Sequence, residues 1–412
     1  MSNQLKYDIS IFSGGRGNKN LFGVMSKSKN INELSVIING LDDGASTGEI
    51  RRLFQYQAHG ISDFLKAILS LTNNKDLVNA LDCRFPSVNN FEQRLELYKD
   101  LDNIVHKNIF PPYLKKLEKL SSDTKKSIIE KFNIFFNYFY KMRDEIVDIE
   151  DFKVGNILFA AIMIEKQLSF KDAISAFSSF CNLNKNIQIY PNSHSVRYLT
   201  GILKNGTLLP NEASVVLTRT SDSIQDIYQL SNPITMNQIR KLSSVEIDQK
   251  IEILESLRSN PDYNEDIKSK ILESDIIIYG SGTPYSSILP SLETSSIANF
   301  IEKNNNPKVM IANLVKETNN FLSVEDLIED LYRYLNRSSN KKLNPKKLLT
   351  HVIISNNQNE KDANFISSDE RLVKKHFPWI EIIKDDFIDP KNSSAHNGEK
   401  VFDAILNIID NK

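Results

Sequence analysis

Tyr7-Asp8-Ile9-Ser10-Ile11-Phe12-Ser13-Gly14-Gly15-Arg16-Gly17 is the stretch whose reading decides the fold. Its first six residues make a short apolar-rich run, as a strand requires, and Ser13-Gly14-Gly15 ends it. Glycines there let the backbone turn sharply and approach a ligand phosphate. A helix is expected to start near Asn18, with Leu21, Phe22 and Met25 on one face. Its unpaired N–H groups and positive dipole end would favour an anion. The turn is not Walker A, because Gly-Lys-Ser/Thr is missing. Nor is it a full GxGxxG fingerprint, since Gly23 falls too late. Alone, it reads equally as a phosphate cradle and as a tight strand-to-helix turn.

Working outward, Leu34–Ile38 is a continuous apolar run of the kind a buried parallel strand shows, and it ends in Asn39-Gly40-Leu41-Asp42-Asp43-Gly44. Ile61–Leu71 has helical spacing. From Asn73 to Asp151 the pattern is purely helical, with Pro111-Pro112 separating Phe91–Val105 from a later pair, the second opening near Ser122-Asp123. Helices Gly155–Lys166 and Phe170–Cys181 follow. Ile187–Tyr190, Val196–Leu203 and Val215–Thr218 are expected to be strands of a small antiparallel element, with Asn205-Gly206 as a hairpin turn. Polar helices run on to about Glu273.

The last third alternates again: strand Ser274–Tyr279, helix Ile297–Asn304, strand Val309–Ala312, helix Val324–Asn336, strand Leu349–Ser355, strand Ile380–Ile383 and helix Glu399–Ile409. Strands separated by helices of this length predict an α/β fold, a doubly wound Rossmann-like parallel sheet with a helical insertion and a small antiparallel β element. The expected divisions are 1–72 as the first part of the core, 73–150 as the insertion and 151–186 as core helices. Residues 187–272 would hold the β-hairpin element and helices, and 273–412 the second part of the core.

Composition narrows the partners. A chain of 412 residues exceeds a typical single core. With 51 Lys+Arg against 52 Asp+Glu, the net charge of −1 argues against a nucleic-acid or anionic-membrane partner. No apolar run approaches the roughly 20 residues needed to span a bilayer. No basic-then-apolar leader opens the chain. Cys83 and Cys181 form neither a metal motif nor a disulfide framework, which fits a cytoplasmic setting.

Two further turns carry chemistry. Asp42-Asp43-Gly44-Ala45-Ser46-Thr47-Gly48-Glu49-Ile50-Arg51 follows the second strand, where α/β sheets present ligands. Two adjacent carboxylates can hold Mg²⁺ while neighbouring N–H groups meet phosphate; the bland alternative is an Asp/Gly turn in solvent. Tyr279-Gly280-Ser281-Gly282-Thr283-Pro284-Tyr285-Ser286-Ser287 also follows a buried strand, and could line a phosphate or ribose pocket or be a crossover turn. Three such turns after three buried strands favour a site.

These motifs resemble, in order, those of the superfamily of 2-phospho-L-lactate transferase (CofD) and the gluconeogenesis factor YvcK. The family's Gly-Gly-Thr-Gly is matched by Gly14, Gly15 and Gly17, with Arg16 departing. Its Asp-Asp-Gly-Gly-Ser-Ser-Gly-Arg-Leu-Arg is matched by Asp42–Arg51, with Ala45, Thr47, Glu49 and Ile50 substituted. In its Gly-Asp-Ile-Arg-Asn motif Asp63 keeps the Asp, but Leu65 and Lys66 stand at the Arg and Asn positions. Gly155-Asn156 matches a Gly-Asn pair, and Gly280–Pro290 matches Gly-Pro-Gly-Ser-Leu-Tyr-Thr-Ser-Ile-Leu-Pro with Ser281 for the first Pro. His396-Asn397-Gly398-Glu399-Lys400 is similar to the terminal His-Asp-Pro-Glu-Lys.

The resemblance implies a nucleotide diphosphate ester, GDP- or UDP-linked, as ligand, with Mg²⁺ as cofactor. On a transferase reading, Asp42, Asp43 and Asp63 are catalytic, and Asp42 and Asp43 bind the metal or orient the attacking hydroxyl. Gly14, Gly15, Arg16, Gly17, Ser46, Thr47, Arg51, Asn156, Gly280, Gly282, Thr283 and Tyr285 would bind nucleotide and phosphate. As a bare residue Asn156 reads as an N-cap, and Arg51 as a solvent-facing helix residue. The other reading is a non-catalytic UDP-sugar-binding regulator of carbon metabolism or the cell envelope. A homodimer is an expectation of the family. His59, His194 and His396 have no metal or triad spacing, though the family match lends support to His396. Phe132, Phe135, Phe136, Phe139 and Tyr140 form an aromatic face, core of the insertion by default and otherwise an acceptor wall or dimer interface.

Overall fold

Seven short strands, four to eight residues each and mostly buried on both faces, make one parallel sheet in a computed structural model that describes residues 5–142, 149–217, 222–316, 323–356, 366 and 370–411. In chain order the strands are β1 (Tyr7–Phe12), β2 (Ile31–Ile38), β3 (Ile187–Pro191), β4 (Tyr198–Leu203), β5 (Leu208–Leu209), β6 (Ile224–Leu230), β7 (Ile276–Tyr279), β8 (Lys308–Ile311), β9 (His351–Ser355), β10 (Glu381–Asp385), β11 (Ile388–Asp389) and β12 (Asn392–His396). The large sheet runs β10-β9-β8-β7-β1-β2-β3; β5-β4-β6 and β11-β12 are small antiparallel sheets. From β1 the chain builds outward to β2 and β3. From β7 it builds the opposite way, so the winding reverses between β1 and β7. That is a topological switch point, where doubly wound sheets take ligands.

The chain divides into two compact units, Met1–Leu41 with Asn184–Lys412, and Asp42–Leu183. The first holds every strand. On one face of its sheet Phe12, Ile37, Ile277, Tyr279, Met310, Val352 and Ile354 share a core with helices Glu265–Glu273, Ile297–Lys303 and Val324–Arg337. Strand alternation leaves Ile9, Ile11, Val36, Ile278 and Ile311 to the opposite face. Helices Lys19–Met25 and Gly398–Asp410 pack on each other. In the second unit, helix Val154–Glu165 is apolar nearly all round and touches helices Ala45–Leu53, Ser62–Leu71, Lys75–Leu81, Ser122–Lys141 and Phe170–Phe180. The aromatic face packs in that unit: Phe132, Phe135 and Phe136 are buried, Phe132 meets the ring of Phe85, Phe135 that of Phe152, and Phe136 packs on both Phe132 and Phe135. Among the described residues no helix is long and apolar enough to cross a membrane.

Two expectations are corrected. Val215–Leu217 is the end of a helix, Glu212–Leu217, because Asn211 caps it through Ser214 N–H at 2.9 Å, and this local bond overrides the β-branched valines; Thr218 lies outside the described residues. Ile187–Tyr190 does not join the antiparallel element. It pairs in parallel with β2, Leu34 opposite Ile187 and Ile38 opposite Pro191, and forms an edge where a proline is tolerated. The third antiparallel strand is instead β6. The hairpin turn at Asn205-Gly206 is present, with Gly206 at φ +81°.

Candidate functional site

The loops after β1 and β7 interlock in the first unit. A Cβ on Gly17 would lie 2.2 Å from the Ser281 carbonyl oxygen, and one on Gly282 would lie 2.7 Å from that of Gly14. Both contacts are backbone, so neither turn accepts a side chain there. Gly15 sits at φ +62°, which favours glycine. Buried Asn18 ties the loops together: its Nδ2 donates to Ser13 Oγ at 2.8 Å, and its Oδ1 accepts from Ser281 Oγ at 3.2 Å. Gly280 is needed because a Cβ would strike the Asn18 amide. Asn39, at the end of β2, donates to the Ser286 and Ser287 carbonyls and to Ser291 Oγ. Thr283 Oγ1 is linked to Ser286 Oγ and Ser287 Oγ, each at 2.8 Å. Gly15 and Thr283 are half-buried, and Arg16 is exposed. Tyr285 turns away from solvent: its hydroxyl donates to Asp330 at 2.6 Å, and burial with that carboxylate raises its pKa.

A second cluster lies within the Asp42–Leu183 unit. Helix Ala45–Leu53 begins after Gly44, with Ala45 at φ +41° and Ser46 and Thr47 buried in its first turn. The Thr47 side chain and the Gly44 N–H both donate to the Asp42 carboxylate. Gly60 presses on the Asp42 backbone so closely that a Cβ would lie 2.1 Å from its carbonyl oxygen. This fixes the start of helix Ser62–Leu71, which carries Asp63 and Lys66. Lys66 Nζ meets Asp63 Oδ1 at 2.8 Å. Asp42 has its carboxyl raised above the usual range by burial first and then by the neighbouring Asp63, with Lys66 pulling the other way. Its Oδ2 is buried and has no hydrogen-bond partner among the described residues.

The adjacent aspartates have different company. Asp43 lies 3.6 Å from the guanidinium of Arg51, which is fully buried. Burial raises the Asp43 carboxyl, against the pull of Arg51 and Arg52. Arg51 is therefore not the solvent-facing residue its helical position suggests. Asn156 is not an N-cap either; Lys153 holds that position. The buried Asn156 side chain donates from Nδ2 to Ser46 Oγ at 2.7 Å, and its Oδ1 has no partner among the described residues. The structure thus brings Asp42, Asp63, Lys66, Ser46, Thr47 and Asn156 together through three helices of one unit.

Sequence reasoning gave no site role to Asn18, Asn39, Gly60 and Lys66, though it marked Lys66 as a departure from the family's motif. Asn39 stood in a turn already marked and Gly60 just before a helix already read, but only packing reveals their tasks. These histidines have structural partners: the His59 ring lies 4.6 Å from that of Phe170, tilted by 30°, His194 meets Asn264 Oδ1, and buried His396 donates from Nε2 to the Ala312 carbonyl at 3.1 Å.

A doubly wound parallel sheet with glycine turns at its switch point defines a Rossmann-like α/β protein. The sequence profile described as "2-phospho-L-lactate transferase CofD" matches residues 9–386, and the chain belongs to that family. It is 22% identical over 410 residues to a candidate gluconeogenesis factor of Streptococcus pneumoniae, covering 98% of both chains. It is 24% identical over 274 residues to the gluconeogenesis factor of Listeria monocytogenes, covering 64% of this chain and 72% of the relative. A crystal structure of a Bacillus halodurans protein superposes with a TM-score of 0.66 at 16% identity, over 97% of this chain and 99% of that one.

Proposed function

We propose that this chain binds a nucleotide diphosphate ester and transfers its phospho-linked group, of 2-phospholactyl type, to an acceptor hydroxyl. The observation that carries this reading is the interlocking of the Gly14–Gly17 and Gly280–Thr283 turns at the switch point. Glycines leave the turn backbones bare there, and bare backbone at a switch point can approach a ligand phosphate. Arg16 and Thr283 border the cradle and supply a cation and a hydroxyl.

In the transfer, the acceptor oxygen attacks phosphorus and the bond from that phosphorus to the bridging diphosphate oxygen breaks. Nucleoside monophosphate leaves with the electron pair, and the hydroxyl proton passes to a carboxylate. Asp43, oriented by Arg51, is our candidate for that acceptor. Asp42 and Asp63 fit a hard divalent cation, since the buried Asp42 Oδ2 lacks a partner and oxygen donors are what Mg²⁺ takes. Mg²⁺ held there would supply the positive charge that phosphoryl transfer draws on.

The second reading is a non-catalytic UDP-sugar-binding regulator of carbon metabolism or the cell envelope; the relatives' name, gluconeogenesis factor, points to carbon metabolism and names no transfer. Thermal-shift measurements with GDP, UDP and their sugar esters, with and without Mg²⁺, on wild type and Asp43→Ala separate the two, because a ligand of the folded state raises its stability by mass action. The transferase reading expects a shift that grows with Mg²⁺, and turnover of the donor by mass spectrometry that Asp43→Ala abolishes. A UDP-sugar shift indifferent to both supports the regulator. No shift with any nucleotide overturns both. A cytoplasmic homodimer belongs to this proposal, and a monomeric mass in light scattering removes the dimer.

A further inference from the structure

We propose that Lys66 is a built-in counter-cation that competes with a divalent metal ion for the Asp42–Asp63 carboxylates. The inference rests on the metal reading given above and concerns a residue that departs from the family's Gly-Asp-Ile-Arg-Asn motif.

Helix geometry places Lys66 on the same face as Asp63, one turn on, and the ammonium meets Asp63 Oδ1 at 2.8 Å. Asp63 is almost fully buried, with its side chain 8% exposed, so its charge needs a partner. Lys66 keeps 29% of its side chain in solvent. Its long stem can swing the ammonium into water, and the carboxylate cannot follow.

The cluster retains two acceptor oxygens that Lys66 does not satisfy. Asp42 Oδ2 and Asn156 Oδ1 are buried and lack partners among the described residues, and Asn156 is only 3% exposed. They are neighbours by connection, since Asn156 bonds Ser46 and the adjacent Thr47 bonds Asp42. Orphaned buried acceptors are costly, and a hard cation satisfies several at once. A monovalent ammonium on Asp63 partly cancels the charge that would draw such a cation. Metal binding thus competes with Lys66, and the affinity is lower than the oxygen set alone would provide.

Binding of Mn²⁺ alone to the full chain, by electron paramagnetic resonance and calorimetry, tests this without any turnover. Lys66→Gln should bind Mn²⁺ about ten-fold tighter than wild type, the scale of removing one close competing charge. Lys66→Arg, which keeps the cation, should not. Lys66→Met repeats the neutral case with a different shape, so a folding defect of one variant leaves the other to decide. Asp63→Asn should lose the gain in the Lys66→Gln background. Equal or weaker binding by both neutral variants, with wild-type binding that Asp42→Asn abolishes, overturns the competition and leaves the metal reading intact. No Mn²⁺ binding by any of these proteins overturns both.

Discussion

Gly60, just before helix Ser62–Leu71, and Gly23, inside helix Lys19–Met25, should respond oppositely to the same substitution. A Cβ at Gly60 meets the Asp42 backbone, whereas one at Gly23 meets nothing within 4 Å. Gly60→Ala should lower stability by about 2 kcal/mol and disturb the acidic turn, since backbone cannot yield as a side chain can. Gly23→Ala should raise stability by about 0.5–1 kcal/mol, the usual helix-interior gain. Urea unfolding of the two variants checks both signs. Ala45 stands where the family carries a second glycine, and its φ of +41° explains the family's choice. Ala45→Gly should stabilise by about 1 kcal/mol, measured the same way. Glycines that bend a chain were legible in the sequence because they end apolar runs. The task of Gly60 was not, because its neighbour Asp42 is 18 residues away in the chain.

Elements show where local signals lose. Helical periodicity located Ser62–Leu71 and Val154–Glu165, but not which of their residues are drawn inward. Asn156 looks like a cap because its type favours caps; its amide was claimed instead by Ser46, and that choice was invisible before the helices packed. β6 was missed because Asp226 interrupts its apolar pattern. That carboxylate is nearly buried, bonds to Arg337 and Tyr334, and is held below the ordinary range chiefly by Arg337, against desolvation. Glu293, fully buried, meets Arg258 at 2.5 Å and Arg337 at 3.2 Å. The pairs anchor the β5-β4-β6 sheet to helix Val324–Arg337. Removing one member unbalances a buried charge network in which Asp226 also meets Arg258, so Glu293→Gln or Arg337→Met should cost about 3 kcal/mol. Loss of the urea midpoint in either variant would show it, and an unchanged midpoint would refute the anchoring role.

At the scale of the molecule, acid should weaken the fold partly through one histidine. His396 lies beside Ala312 after β8, and burial holds its pKa down at about 4. Above pH 6.5 the ring is neutral in both folded and unfolded chains, so its contribution is complete. As pH falls below 6.5 the unfolded chain gains a proton that the folded ring refuses. Stability is therefore lost progressively down to about pH 4, by up to about 3 kcal/mol. His396→Gln should flatten the difference in urea midpoint between pH 7 and pH 4.5, read against wild type so that the carboxylates cancel. An identical pH profile would remove His396 from the account.

What the sequence by itself determined is the α/β class, the strands β1, β2, β7, β8, β9 and β10, and the turns that end β1, β2 and β7, because period and glycine placement are local properties. Tyr7–Gly17 already carried the turn, and Leu34–Gly44 and Ser274–Gly282 repeated its logic. Only the tertiary structure decided that β1 and β7 are neighbours at the reversal, that Ile187–Pro191 closes one edge, and that Asp42 sits with Asp63 and Lys66 while Asp43 sits with Arg51. Those outcomes depend on which distant groups share a buried space. Burial and pairing of charge are set by the packed whole, and no window of sequence contains both partners.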